Sequence, residues 1–350
     1  MPMRLAAALL SLLAAPVSAP APTPVPTPTP VPGEVVCTVD DPRAIELSGL
    51  VATPDGYVSV IDSQFDTDTV RIVYLDRSCA VTRTRGYPTP ARDPEDVALD
   101  PQGRLWVADI GDNFTAQTRR STIALWLVPA DGDPVIHRMT YPDGPHDAEA
   151  LLFAGDGTPI VVTKELSGVA SLYAPTEPLQ PRTAAGVPLA KVGEFRPTRP
   201  SPAPSLFDAL AGIGATVVTG AATSPDRTRI ALRTYTAAYE WDVADGDVVK
   251  AITTGTPRVT PLPDETQGES IAYSPDGADF LTVSDNSGPT PLLRYHPTVP
   301  PSPTAPAGGA AALVREGLPT VWFAALAAGG GLVLVGAGVL ALRRRRVSRP

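Results

Sequence analysis

Two short apolar runs separated by a polar turn recur along the middle of the chain. In the clearest copy, residues 97–99 and 105–108 flank the turn Asp-Pro-Gln-Gly at 100–103. Apolar runs around such a turn predict a tight β-hairpin. Because a hairpin returns beside its own start, we expect Glu95 and Asp109 to lie at the same end of the unit.

The hairpin is the repeating unit of the chain. Aligned on Ser48, Glu95, Glu149, Thr219 and Glu269, its five copies are 47, 54, 70 and 50 residues apart. A third strand is predicted after every hairpin and a fourth after most of them, including one at residues 248–253. A four-stranded propeller blade takes about 40–50 residues, so the spacing predicts an all-β fold, a β-propeller.

The two ends of the repeat array predict how the propeller closes. The fifth copy has no fourth strand, whereas residues 34–39 form a strand without a hairpin. We therefore predict that this N-terminal strand completes the last blade and covers its edge. Five blades are expected, with residues 196–214 in the longest interval as a loop; the alternative is a degenerate sixth blade there.

The segments on either side of the repeats predict export and anchoring. Arg4 and the apolar residues after it indicate a signal peptide at residues 1–19, followed by a Pro/Thr-rich linker at 20–33. The propeller domain is assigned to residues 34–297, and a Pro/Ala-rich linker to 298–317.

The C-terminal part of the chain predicts a single membrane span. Residues 318–342 are apolar and uncharged, long enough for a transmembrane helix. The basic tail at 343–350 begins with four arginines, which favour the cytoplasm. These features predict a cell-membrane protein with an extracellular propeller and a cytoplasmic C-terminus.

The cysteine content predicts a disulfide, and the net charge limits the class of partner. Cys37 and Cys79 are the two cysteines of the chain. In an oxidising compartment an even count favours a disulfide, here one that joins the closing blade to the first; two buried thiols are the alternative.

Residues 34–300 hold 21 basic and 36 acidic side chains, a net charge near −15. This charge argues against nucleic acid as a partner and favours cations.

The hairpin geometry predicts that acidic side chains gather at one rim of the central channel. Carboxylates that converge repel one another unless a cation or protonation intervenes. Extracellular Ca²⁺ prefers such oxygen ligands, so we predict a site for Ca²⁺ or another divalent cation. The predicted metal ligands are Glu95, Asp109, Glu149, Glu269 and Asp285. In the alternative interpretation these acids accept backbone N–H bonds at turns or pair with rim cations.

Other polar residues of the same rim supply the remaining candidates. Asp62, Lys164 and Arg233 are predicted to bind a ligand. His146 and Glu149 are the candidate catalytic residues, with His146 as a general base or a ligand. A turn residue without a chemical role is the alternative for His146.

Four segments carry a resemblance to known proteins. Residues 93–113, 144–150, 231–235 and 267–272 resemble a group of exported actinobacterial β-propeller proteins, over about residues 37–295. More remotely, the chain is similar to phytase/esterase-like and regucalcin/gluconolactonase-like propellers. That resemblance implies a divalent ion above the channel, held by the acidic residues named above, and in some members hydrolysis of phosphoesters or lactones.

The sequence thus predicts a cell-surface, membrane-anchored binding or interaction module with a divalent metal at its acidic rim. The partner is a small molecule or an extracellular protein. The alternative is a metal-dependent hydrolase of a small ester, lactone or phosphoester.

Overall fold

The computed structural model describes residues 30–62, 70–112, 118–198, 212–263 and 265–298. These residues include twenty β-strands and a short helix, α1 (Val248–Thr254), and residues 212–214 are helical as well. In chain order the strands are β1 (Glu34–Val39), β2 (Leu47–Thr53), β3 (Gly56–Ile61), β4 (Ile72–Asp76), β5 (Val81–Arg85), β6 (Pro94–Leu99), β7 (Leu105–Asp109), β8 (Ile123–Val128), β9 (Val135–Thr140), β10 (Ala148–Phe153), β11 (Pro159–Thr163), β12 (Ala170–Pro175), β13 (Val187–Phe195), β14 (Val218–Thr223), β15 (Arg229–Thr234), β16 (Ala237–Asp242), β17 (Arg258–Pro261), β18 (Ala272–Tyr273), β19 (Phe280–Thr282) and β20 (Thr290–Tyr295).

Consecutive strands pair antiparallel in groups to form four-stranded sheets. Sheet I contains β2 to β5, sheet II β6 to β9, sheet III β10 to β13, and sheet IV β14 to β17. Sheet V contains β18, β19 and β20 with β1 beside β20. A short parallel contact between β9 and β13 also joins sheets II and III.

The N-terminal strand completes the last sheet, which confirms the prediction from the missing fourth strand. Glu34 lies opposite Arg294 and Val39 lies opposite Thr290. Strand β1 therefore occupies the edge that β20 would otherwise expose.

The first strands of the sheets contact one another in a cycle. Strand β2 contacts β6, β6 contacts β10, β10 contacts β14, β14 contacts β18, and β18 contacts β2. This arrangement of sheets around a common centre is that of a β-propeller. The number of blades stays a prediction, since residues 199–211, within the alternative sixth blade, lie outside the described part of the chain.

Apolar side chains fill the space between neighbouring sheets. Val60 and Ile72 of sheet I pack with Val107 of sheet II, and all three are fully buried. Leu172 of sheet III and Leu232 of sheet IV meet in the same way. Because these layers lie between the sheets, the inner strands are free to present polar groups towards the centre.

One predicted strand is wrong. Residues 248–253 form most of helix α1, and the fourth strand of sheet IV is β17. Asp247 caps the helix by accepting a hydrogen bond from the Lys250 N–H at 2.9 Å. Val248 and Ile252, four residues apart, bury one helical face; because residues four apart also share one face of a strand, the apolar pattern did not separate the two.

Cys37 and Cys79 form the predicted disulfide. Cys37 belongs to β1 in sheet V, and Cys79 lies between β4 and β5 of sheet I. The bond thus joins the last sheet to the first, as the sequence predicted.

The predicted signal peptide, apolar segment and basic tail fall outside the described residues, as do most residues of both linkers. Among the residues that are described, no helix combines the length and apolar character needed to cross a membrane.

Candidate functional site

A β-bulge recurs near the start of the innermost strands. The pairing register shifts between Ser48 and Leu50, between Pro94 and Asp96, between Ala148 and Ala150, and between Val218 and Gly220. In sheet V it shifts between the Gly268–Ser284 bridge and the Ala272–Leu281 pair. Bulges re-aim a side chain and are frequent beside functional sites. The residues within these shifts include Gly49, Glu95, Glu149, Thr219 and Glu269.

The bulges bring three glutamates from separate sheets together. Glu95, Glu149 and Glu269 are each only 3% exposed. Burial is the main cause that raises the pKa of Glu95, and the nearby charge of Glu149 raises it further. Burial likewise raises the pKa of Glu149, and the nearby charge of Glu269 adds to that effect. The structure therefore gathers the three side chains that the aligned repeats placed at one rim.

Asp62, which directly follows β3, connects two groups of carboxylates. One carboxylate oxygen from each of Asp62, Asp93 and Glu95 lies within 4.8 Å of the others. The same holds for Asp62, Glu269 and Asp285. All five side chains are buried. We call these five residues together with Glu149 the acidic cluster.

Burial and mutual repulsion raise the pKa values of the acidic cluster. Burial is the main cause for Asp93, and together with nearby Asp62 it raises the pKa of Asp93 to about 9. Burial, partly offset by Lys164, and the charge of Asp285 raise the pKa of Glu269 to about 8. Burial and Asp62 raise the pKa of Asp285 to about 7. The site thus concentrates more negative charge than its own cations neutralise.

Lys164 is the cation whose charge acts on most of this cluster, while the Arg120 guanidinium acts on Asp93. Its ammonium donates a hydrogen bond to the Glu149 carboxylate and lies 5.6 Å from the centre of the Tyr235 ring. Burial lowers the pKa of Lys164, but Glu149, Glu269 and Glu95 outweigh it, so the pKa is well above its usual value. Lys164 therefore stays charged and compensates one carboxylate.

Several carboxylate oxygens of the cluster have no hydrogen-bond donor. Among the described residues, Oδ1 of Asp93, Oε2 of Glu149 and Oε2 of Glu269 are buried without a partner. Buried polar atoms are nearly always paired with protein, water or an ion. Buried carboxylates with oxygens within 4.8 Å of one another, some of those side chains with an unpaired oxygen, are the ligands that a hard divalent cation such as Ca²⁺ takes, so the residues present fit the predicted metal.

Gly111 makes room for this arrangement. A Cβ atom at this position would lie 2.2 Å from Oε1 of Glu95 and 2.6 Å from Oδ2 of Asp93. Both distances are well inside van der Waals contact, so a side chain here would displace the two carboxylates. Sequence reasoning missed Gly111 and Asp93, although the stretch Asp-Ile-Gly-Asp at 109–112 and the acidic run at 93–96 were visible signals.

Asp109 does not join the acidic cluster, contrary to its predicted role as a metal ligand. Its Oδ1 accepts from the Asp93 N–H at 3.0 Å and pairs with Arg120 at 2.9 Å, while Oδ2 accepts from the Trp126 indole at 3.2 Å. The cause is one residue of register. In sheet II, Asp109 lies opposite Pro94, directly before the bulge. The residue in the same place of sheet III is Thr163, and Lys164, which does reach the cluster, comes one residue later. A shift of one residue turns a strand side chain to the other face.

Arg233 is also misplaced by the sequence prediction. Its side chain is fully buried, pairs with the Glu265 carboxylate at 3.0 Å and donates to the Ser270 carbonyl at 2.8 Å. A guanidinium enclosed in this way is not available to a ligand arriving from solvent. It instead ties β15 to the backbone directly after Glu269.

His146 lies in a separate network. Its Nε2 is 3.1 Å from both Oδ1 of Asp143 and the Tyr173 hydroxyl, and its Nδ1 is 3.2 Å from Oε1 of Glu165. The imidazole side chain is 22% exposed. In the described part of the chain no hydrogen bond connects it to Glu149, the other candidate catalytic residue, which is paired with Lys164.

Comparison with known proteins adds neither a family nor a function. No family model matches the chain, and no curated protein matches it. A Myxococcus xanthus glutaminyl cyclase is 13% identical over 78% of this chain and 100% of its own, with a TM-score of 0.44. The β-propeller domain of Cps50 (Swd1) from Myceliophteria thermophila is 12% identical over 75% of this chain and 99% of its own, with a TM-score of 0.38. A streptogramin B lyase is 11% identical over 71% of this chain and 64% of its own, with a TM-score of 0.33.

Proposed function

We propose that this chain is a divalent-cation-binding module built on a five-bladed β-propeller. The cation is held by the acidic cluster, with Ca²⁺ as the ion that best suits all-carboxylate ligation. The five-blade count is supported by the cycle of contacts among β2, β6, β10, β14 and β18.

One observation carries the metal proposal. Carboxylate oxygens of Asp93, Glu149 and Glu269 are buried without a donor, while the two described cations whose charge acts on them, Lys164 and Arg120, are paired with Glu149 and Asp109. Removing one partner from a buried ion pair costs about 3–5 kcal/mol, because it leaves an uncompensated charge. A bound cation supplies the missing partner for several carboxylates at once.

Calorimetric titration of the full-length chain with Ca²⁺, Mg²⁺ and Mn²⁺ tests the proposal. We expect saturable binding and a rise in Tm, both weakened in Asp62→Asn. Asp143→Asn is the matched control, since Asp143 is half exposed and contacts His146 rather than the cluster. An absence of binding and of any Tm change with all three ions would refute the metal proposal.

The module is further proposed to act at the outer face of the cell membrane. The support is the sequence alone: the signal peptide, the apolar segment at 318–342 and the arginines after it. Its partner would be a small molecule or an extracellular protein. Membrane fractionation combined with protease treatment of intact cells tests this placement. We expect the protease to digest the propeller, and a propeller that is protected in intact cells would contradict the placement.

A metal-dependent hydrolase is the second candidate function, and the His146 network favours it. A partly exposed imidazole whose two nitrogens face the carboxylates of Asp143 and Glu165, beside the Tyr173 hydroxyl, is a group of the kind that transfers protons in hydrolases. Ester, lactone and phosphoester substrates assayed with Ca²⁺, in the parent chain, Glu149→Gln and His146→Asn, address this candidate. Turnover that survives both substitutions would remove these residues from the mechanism.

A further inference from the structure

We propose that the acidic cluster binds two divalent cations that share Asp62 as a bridging ligand. This inference rests on the proposed function and specifies its stoichiometry. Position A is formed by Asp62, Asp93 and Glu95, and position B by Asp62, Glu269 and Asp285. Asp62 belongs to both three-carboxylate groups, so its carboxylate lies between the two positions.

Each position has its own buried oxygen without a donor. Oδ1 of Asp93 belongs to position A and Oε2 of Glu269 to position B. Both side chains are more than nine-tenths buried, at 7% and 3% exposure. A single ion in either position would leave the unpaired oxygen of the other position unsatisfied, which argues for occupation of both.

The charge of the cluster also favours two ions. The two positions together present five carboxylates, and the two cations that act on them are paired elsewhere: Lys164 with Glu149 and Arg120 with Asp109, neither of which belongs to a position. Once the carboxylates release their protons to bind metal, one divalent cation balances two of the five charges, whereas two cations balance four. In a site from which water is largely excluded, the remaining repulsion strongly favours the second ion.

The fold places the two positions on different sheets. Asp93 and Glu95 belong to the start of sheet II, while Glu269 and Asp285 flank β18 and β19 of sheet V. Asp62 follows β3 of sheet I, which lies between those two sheets in the cycle of contacts. Cations about 3.5–4 Å apart, as in other two-metal sites, would thus tie three sheets together at the channel mouth.

Single substitutions separate the two positions. Asp93→Asn removes a charge from position A alone, Asp285→Asn from position B alone, and Asp62→Asn from both. Each change is isosteric and relieves repulsion in the metal-free protein, so we expect the variants to fold. Asp143→Asn on the same rim serves as the control.

Calorimetry with Ca²⁺ and electron paramagnetic resonance with Mn²⁺ on the full-length chain provide the test. We expect two ions per chain with spin-coupled Mn²⁺, one uncoupled ion in Asp93→Asn and in Asp285→Asn, and affinity lower by about tenfold or more in Asp62→Asn. One ion per parent chain would overturn the inference and leave the proposed function standing. No ion at all would refute the proposed function itself. Two ions bound with unchanged affinity in Asp62→Asn would exclude Asp62 as the bridging ligand. If that variant does not fold, one ion per chain in Asp93→Asn and in Asp285→Asn supports the two positions, and two ions in either variant contradicts them.

Discussion

Removal of divalent cations should make the stability of this protein fall as the pH rises. Asp93, Glu269 and Asp285 have pKa values of about 9, 8 and 7 in the folded chain, well above those of an exposed carboxyl group. Between about pH 5 and pH 7 the folded state therefore holds protons that the unfolded chain has released. Because the folded state binds more protons in this range, the free energy of unfolding decreases with rising pH.

The structure also sets the size of the effect. Each group that is protonated when folded and ionised when unfolded lowers the free energy of unfolding by about 1.4 kcal/mol per pH unit. Asp285 alone then gives a loss of about 2 kcal/mol between about pH 5 and pH 7, where it becomes half ionised, and Asp93 and Glu269 change the stability in the same direction. Against a typical total of about 5–15 kcal/mol, a loss of this size is readily measured.

Denaturant unfolding at a series of pH values, with a chelator and with saturating Ca²⁺, measures this dependence. Bound cations keep the carboxylates ionised in the folded state, so Ca²⁺ should flatten the slope and raise the stability most at the higher pH. Asp285→Asn should reduce the metal-free slope by about 1.4 kcal/mol per pH unit, whereas Asp156→Asn, on an exposed turn, should leave it unchanged. A metal-free stability that is constant or rises over this range would refute the reasoning.

Three further changes test individual contacts. Gly111→Ala should weaken Ca²⁺ binding in calorimetry, since its Cβ would displace Glu95, and unchanged affinity would contradict the close approach. Asp109→Asn should destabilise the fold by about 3–5 kcal/mol by unpairing Arg120, with unaltered cation stoichiometry; loss of one ion would return Asp109 to the site. Cys37→Ser should lower the free energy of unfolding by about 4 kcal/mol for a loop of 42 residues, which an unchanged denaturation midpoint would disprove.

The sequence predicted the repeat and the gathering of acidic groups because both follow from hairpin geometry. Glu95, Glu149 and Glu269 were found by alignment of the repeats, and the bulges place all three in one buried cluster. The alignment was one residue off in the first sheet, where the register shift leaves Gly49 rather than Ser48 unpaired. Such an offset is invisible in the sequence, because a bulge adds a residue without changing the apolar pattern.

The sequence failed where a side chain's role depends on which face it occupies. Asp109 appeared equivalent to Asp285 by its place at the end of a second strand, yet its carboxylate contacts Arg120 and Trp126. Arg233 was assigned to a ligand from its place at the rim of the repeat, but the fold encloses it with Glu265. Such assignments need the pairing register and the partner, both of which involve residues distant along the chain.

The joining of β1 to β20 determines how the domain would respond to mechanical tension. Glu34 and Arg294 lie opposite each other where β1 begins and β20 ends. A force applied to both ends of the domain would therefore separate the two strands from this pair onwards. Hydrogen bonds would then break one after another rather than together. Cys37 lies three residues further along β1, and its covalent link to Cys79 would stop the peeling before the strand detaches.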